Sequence, residues 1–234
     1  MGNESMDLDQ VAAYLQRDVR EVHKLADRGH LPGRKVAGQW RFARTEINHW
    51  LEREMPGYSD RQLTALESSG SAPAKAGEAV ISTLLREACV AVPLTAKTKN
   101  SVLRELVRLA EQSFEIYDSA AILEAIEQRE EISSTALGSG IAIPHPHRPM
   151  PNALGDSVIA YGRTFSGIPF GADRGGLTDI FFLVLSHDNA AHLKVLARLS
   201  RLLLRPGFID SLRAAETAHE TWQLIDSAER DLAA

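Results

Sequence analysis

Apolar residues recur at helical spacing through the first thirty positions, as Leu8, Val11, Ala12 and Leu15 and then as Val19, Val22, Leu25 and Ala26. Asp7 or Asp9 can cap the first of these stretches and Asp18 the second, which Gly29 stops. Two short helices joined by Gln16-Arg17 make a helix-turn-helix pattern. After Leu31-Pro32-Gly33 the spacing changes to alternation, so the run from Arg34 to Phe42 reads as a hairpin turning at Ala37-Gly38. A third helix follows from Thr45 through Ile47, Trp50 and Leu51.

The periodicity lapses between Pro56 and Gly77, where Ser68-Ser69-Gly70-Ser71-Ala72-Pro73 has the composition of a tether. The chain is therefore expected to divide into a winged helix-turn-helix domain at 1–55, a flexible linker at 56–77 and a second domain at 78–234. Just before the tether, 61–67 could extend a helix or form a short dimerising one. Beyond it, strand patterns at 90–94, 140–144, 157–163 and 179–185 alternate with helical ones at 100–112, 119–128, 190–204, 206–214 and 217–225. That alternation predicts an α/β class, a sheet covered by helices with sites on loops at strand ends.

A net charge of -5 excludes a protein that coats nucleic acid over its whole surface and leaves room for one local basic face. Residues 1–55 carry nine Lys or Arg and nine Asp or Glu, so the first domain has no net charge. Its cations are nevertheless concentrated: Arg17, Arg20, Lys24, Arg28, Arg34, Lys35 and Arg41, with Arg44 beside them, fall on the second helix and the hairpin. Those two elements are the ones a winged helix-turn-helix lays against DNA, where cations neutralise phosphates. The one cysteine, Cys89, sits in an apolar run and cannot form an internal disulfide, which suits a reducing cytoplasm. No leader pattern and no apolar run long enough for a bilayer is read, so a cytoplasmic protein without membrane insertion is expected.

The string Asp9-Gln10-Val11-Ala12-Ala13-Tyr14-Leu15, then Leu31-Pro32-Gly33-Arg34-Lys35-Val36, Gly38-Gln39-Trp40-Arg41-Phe42 and Glu46-Ile47-Asn48-His49-Trp50-Leu51 resembles the excisionase-like helix-turn-helix family, related to MerR. The resemblance covers residues 6 to 54 and implies sequence-specific binding of double-stranded DNA. A homodimer is expected, because one short module reads only a half-site. A helical module for protein contact is the other reading of the same residues.

In the second domain Gly140-Ile141-Ala142-Ile143-Pro144-His145 delivers a histidine at the end of a short apolar strand behind a glycine turn. Phosphohistidine chemistry needs an accessible imidazole nitrogen, a cation for the phosphoryl oxygens and a second donor. His145, Arg129 and His192 can supply them. With Arg129-Glu130-Glu131, Ser134-Thr135-Ala136-Leu137-Gly138, Asp179-Ile180-Phe181-Phe182-Leu183-Val184 and Ala191-His192-Leu193, these residues resemble the fructose-, mannitol- and nitrogen-type enzyme IIA proteins of the phosphoenolpyruvate-dependent phosphotransferase system. The resemblance spans residues 78 to 228. It implies a mixed-sheet α/β domain in which His145 carries the phosphoryl group, His192 is the second histidine and Arg129 the arginine of the site. It also implies a histidine phosphocarrier protein as partner. His147 departs from the pattern and could assist, or join His145 and His192 on a metal. No metal and no cofactor is expected, since zinc takes three or four ligands and Cys89 is apolar in setting. The expected function is a DNA-binding regulator phosphorylated on His145. The alternatives are a phosphate-independent DNA-binding protein whose second domain only docks or dimerises, and a sugar-uptake enzyme IIA.

Overall fold

A computed structural model describes residues 5–68 and 80–233. A two-residue strand β1 (Ser5–Met6) precedes α1 (Leu8–Leu15) and α2 (Val19–Asp27). Asp7 caps α1, accepting from Gln10 N at 2.8 Å while the Gln10 side chain accepts from Asp7 N at 2.9 Å, and Asp18 caps α2 from Arg20 N. The hairpin follows as β2 (Arg34–Val36) and β3 (Gln39–Ala43). Ala37 and Gly38 both have positive φ, 49° and 78°, the backbone of a tight hairpin turn whose twist matches its strands. α3 (Arg44–Glu54) then buries Ile47, Trp50 and Leu51 with Val11, Leu15, Val22 and Phe42. The pairing of Ser5 and Met6 with Ala43 and Phe42 adds a third strand that no alternation in so short a segment reveals.

Within the stretch read as linker, Asp60–Glu67 is helical (α4), opened by the Ser59–Gln62 capping box. Leu63 and Leu66 are buried, and α4 packs along a helix of the second domain. Residues 60–67 of the expected linker are thus helical and packed, and its 69–77 portion lies outside the described residues.

The second domain runs α5 (Ile81–Leu84), β4 (Val90–Ala91), α6 (Lys99–Glu111), α7 (Ser119–Ile132), β5 (Ala136–Leu137), β6 (Ile141–Ala142), β7 (Val158–Pro169), β8 (Leu177–Leu185), α8 (Asn189–Leu204), α9 (Phe208–Ala214) and α10 (Ala218–Ala233). The five strands order as β4-β7-β8-β6-β5. β4 with β7 and β6 with β8 are parallel, and the other two pairs antiparallel, giving the mixed α/β sheet. β8 is buried along nearly its whole length from Ile180 to Leu185, the continuous apolar run of a strand covered on both faces. Longer than its sequence pattern, β7 continues past an irregularity between Arg163 and Ile168 to Pro169. Among the described residues no helix is long and apolar enough to cross a membrane.

Candidate functional site

β6 sets the direction of His145. Gly140, at φ 84°, turns the chain into the strand, and a Cβ there would lie 2.6 Å from Arg213 Nη2 and 2.9 Å from Asp179 Oδ1, which are paired with each other. Beyond the strand, Val184 N donates to Pro144 O at 2.9 Å, so the chain is still tied to β8 one residue before the histidine. His145 is consequently buried and fixed from the sheet.

Its Nδ1 lies 2.7 Å from Ile143 O. A carbonyl can only accept, so the hydrogen is assigned to Nδ1 and Nε2 carries the lone pair. His192, near the start of α8, stacks obliquely with ring centroids 5.0 Å apart, and its Nδ1 is 3.3 Å from Ser186 Oγ. Asp188 caps α8 through Ala190 N and Ala191 N, fixing the turn that carries His192. Arg129, in the last turn of α7, donates from Nη1 to Ser133 O at 2.9 Å and Ser133 Oγ at 3.2 Å. The three residues singled out from the sequence therefore converge from β6, α7 and α8.

A fourth residue joins them from the first domain. Glu52 of α3 reaches between the histidines: Oε2 lies 3.1 Å from His145 Nε2 and 3.1 Å from Arg129 Nη2, and Oε1 lies 3.2 Å from His192 Nε2. The contact with His145 is at ion-pair distance but out of line for a hydrogen bond. Burial pushes the Glu52 carboxyl up, but His145 when protonated, the hydrogen bond from His192 and the His49 ring 3.7 Å away more than offset it, and Glu52 is held well below the usual carboxylate range. Beside the cluster is a cavity of about 600 Å³ lined by Glu52, Arg129, Ser134, Thr135, His145 and Leu196 among others.

Contacts around Glu52 join the two halves of the chain. Tyr14 donates to Asn48 Oδ1 at 2.6 Å, and Asn48 Nδ2 donates to Asn189 Oδ1 at 2.9 Å. Burial pushes the Tyr14 hydroxyl up to about 12, so it remains a donor at any ordinary pH. On the α4 side, Arg201 reaches Asp60 at 2.7 Å and Arg198 reaches Glu67 at 2.9 Å.

Glu52, His145 and His192 could bring one ligand atom each within 4.8 Å of one another, a geometry a metal ion can use. His147 is not in that set; its ring instead meets His49 edge-on at 6.0 Å. The Arg129 guanidinium on the same Glu52 oxygen would face any ion held there and argues against a cation.

The segment 83–228 matches the family described as Phosphoenolpyruvate-dependent sugar phosphotransferase system, EIIA 2. The chain belongs to this family. Residues 5–55 ahead of it match a helix-turn-helix domain. The fructose-specific EIIABC component of Bacillus subtilis is 31% identical over 152 residues, 64% of this chain and 24% of that protein. The chain thus spans about a quarter of that relative's length. A nitrogen regulatory protein of Bradyrhizobium diazoefficiens is 33% identical over 136 residues, 56% of this chain and 87% of that one. The crystal structure of nitrogen regulatory protein IIA-Ntr from Neisseria meningitidis superposes with a TM-score of 0.57 at 26% identity, covering 63% of this chain and 99% of that one.

In the EIIA domain, burial pulls His192 down from its ordinary value near 6.5, and does the same to the half-buried His147. Both imidazoles favour the neutral form in the fold, so their contribution to stability is fully present above pH 6.5 and shrinks as acid protonates the unfolded chain first. Thermal melts at pH 7.5 and 5.5 should show a smaller acid loss for His147→Gln than for the unsubstituted chain.

On the helix-turn-helix side, Arg20 and Lys24 of α2, Arg28 at its C-terminal cap, and Arg34 and Lys35 of β2 are exposed. Arg17 is held by Glu21 at 2.6 Å and Tyr58 at 2.9 Å, and Arg41 bonds Gln39. Sequence reasoning missed Glu52. The only signal was a polar stripe of Asn48, His49 and Glu52 on α3 beside its apolar one, which reads as an ordinary solvated face.

Proposed function

We propose that this chain is a cytoplasmic, DNA-binding regulator whose EIIA domain accepts a phosphoryl group on His145 from a histidine phosphocarrier protein. The observation that carries the reading is the fixed tautomer of His145, whose Nε2 faces the Glu52 oxygen that Arg129 also holds, with the His192 ring 5.0 Å from its own. A nucleophilic nitrogen, a guanidinium for phosphoryl oxygens and a second imidazole for developing charge are the parts that phosphoryl transfer needs. Likeness to nitrogen regulatory proteins, together with an attached helix-turn-helix, favours regulation over sugar uptake. The exposed cations Arg20 and Lys24 of α2, Arg28 at its C-terminal cap, and Arg34 and Lys35 of the wing are the phosphate contacts, with two copies of the chain presenting two recognition helices.

Incubation with phosphoenolpyruvate, enzyme I and a histidine phosphocarrier protein should give an acid-labile label on the chain and none on His145→Ala. An unlabelled wild-type chain would refute the phosphocarrier reading. For the DNA arm, Lys24→Ala should reduce the salt dependence of operator binding by about one unit in slope, and an unchanged slope would remove Lys24 from the interface.

A further inference from the structure

The residue closest to His145 Nε2 from the other half of the molecule is an acid in a pocket built for an anion. Glu52 is nearly buried, contributes both carboxylate oxygens, and takes its partners from three elements of the EIIA domain. Among the described residues no other carboxylate is paired with these groups: the neighbouring Glu130 is engaged by Thr135 and by Lys99 at 2.8 Å. The oxygens of Glu52 thus meet the same guanidinium and the same second imidazole that phosphoryl oxygens on His145 would use.

Resting on the phosphocarrier reading above, we propose that Glu52 is an internal stand-in for the phosphoryl group, so that docking of α3 on the EIIA domain and phosphorylation of His145 exclude each other. Two physical effects enforce the exclusion. A phosphorus bonded to Nε2 needs the space that Oε2 fills 3.1 Å away. A phosphoryl group also brings nearly two negative charges against a buried carboxylate, a repulsion that the shared Arg129 cannot neutralise for both. In transfer, the lone pair of His145 Nε2 forms the new P–N bond as the P–N bond of the donor phosphohistidine breaks. The electron pair of the broken bond stays on the donor imidazole, whose other ring nitrogen already carries a proton, so the donor leaves as a neutral imidazole while His145 Nδ1–H keeps its bond to Ile143 O and His145 becomes the phosphoimidazolium. Glu52 must withdraw before this step and is kept out after it.

The device acts on the position of the first domain, not on access to its cations. Arg20, Lys24, Arg28, Arg34 and Lys35 stay exposed with α3 docked. What phosphorylation releases is the Asn48-His49-Glu52 face of α3 and the Asn48–Asn189 bond beside it. The signal written on His145 therefore becomes a change in how the helix-turn-helix is held.

The test compares initial labelling rates of the full chain and of Glu52→Ala and Glu52→Gln by a phosphorylated histidine phosphocarrier protein, with amide hydrogen exchange of residues 44–54 followed before and after labelling. Glu52→Ala should label at least about tenfold faster, Glu52→Gln should fall between, and exchange in 44–54 of the wild type should rise on phosphorylation. Exchange in the wild type needs no substitution, so a variant that folds poorly does not decide the outcome. Labelling at equal or lower rates in both variants, with unchanged exchange in the labelled wild type, would overturn the gate and leave the phosphocarrier reading intact. Absence of label on all three chains would instead overturn that reading, and the gate with it.

Discussion

Arg129→Ala should lower the rate of phosphoryl acceptance by about a hundredfold, the usual effect of removing one preorganised donor from developing charge. Arg129 is buried, its Nη1 is fixed by both oxygens of Ser133, and its Nη2 is aimed at the space beside His145. A guanidinium anchored this way needs no reorganisation during transfer. Two effects oppose each other in the variant, because Arg129 also holds Glu52 in place, and removing it loosens the carboxylate that covers Nε2. Glu52→Ala/Arg129→Ala separates them. With Glu52 already gone, the full loss from Arg129 should appear, so the double variant should fall further below Glu52→Ala than Arg129→Ala falls below the wild type. Arg129→Lys should recover little, since an ammonium cannot bond Ser133 and an anion through one planar fork. Equal labelling of Arg129→Ala and wild type would remove Arg129 from the reaction.

That experiment concerns residues the sequence made visible, and Glu52 shows where visibility stops. Asp7, Asp18, Gly38 and the Gly140-to-His145 run are local signals: a cap, a turn or a strand end declares itself within a few residues, and each is found in that role. His145, His192 and Arg129 lie far apart in the chain, and the enzyme IIA resemblance singled them out together. Glu52 had no such guide. It sits 77 residues before Arg129 and 140 before His192, on the polar side of a helix whose apolar side satisfies the domain's own core. A charged residue in that position is exposed unless another domain covers it. α4 is the same case in apolar form, since Leu63 and Leu66 are too few to announce a buried helix without the face of α8 that receives them. Contacts between domains are written in residues that look like surface.

Glu229→Ala should be the most destabilising single change away from the site, costing about 3–5 kcal/mol, the range for breaking a buried ion pair. Glu229, on α10, is fully buried and accepts from Val80 N, Ile81 N and Ser82 N at 2.7 to 2.8 Å, closing the start of α5. Its Oε1 also receives Arg198 Nη1 at 3.1 Å, and Arg198 in turn donates from Nε to Glu67 of α4. Alanine therefore uncaps one helix and weakens the neutralisation of a buried guanidinium in another. For a chain of this size the midpoint of thermal unfolding should drop by roughly 10 °C. Glu229→Gln keeps acceptor oxygen for the α5 amides but not the charge facing Arg198, so its loss should be smaller and should be relieved in part by Arg198→Leu, which removes the cation that Glu229 helps to neutralise. If Arg198→Leu makes Glu229→Gln worse instead, the guanidinium stabilises α8 independently of Glu229, and the clamp between α4, α8 and α10 is not one network.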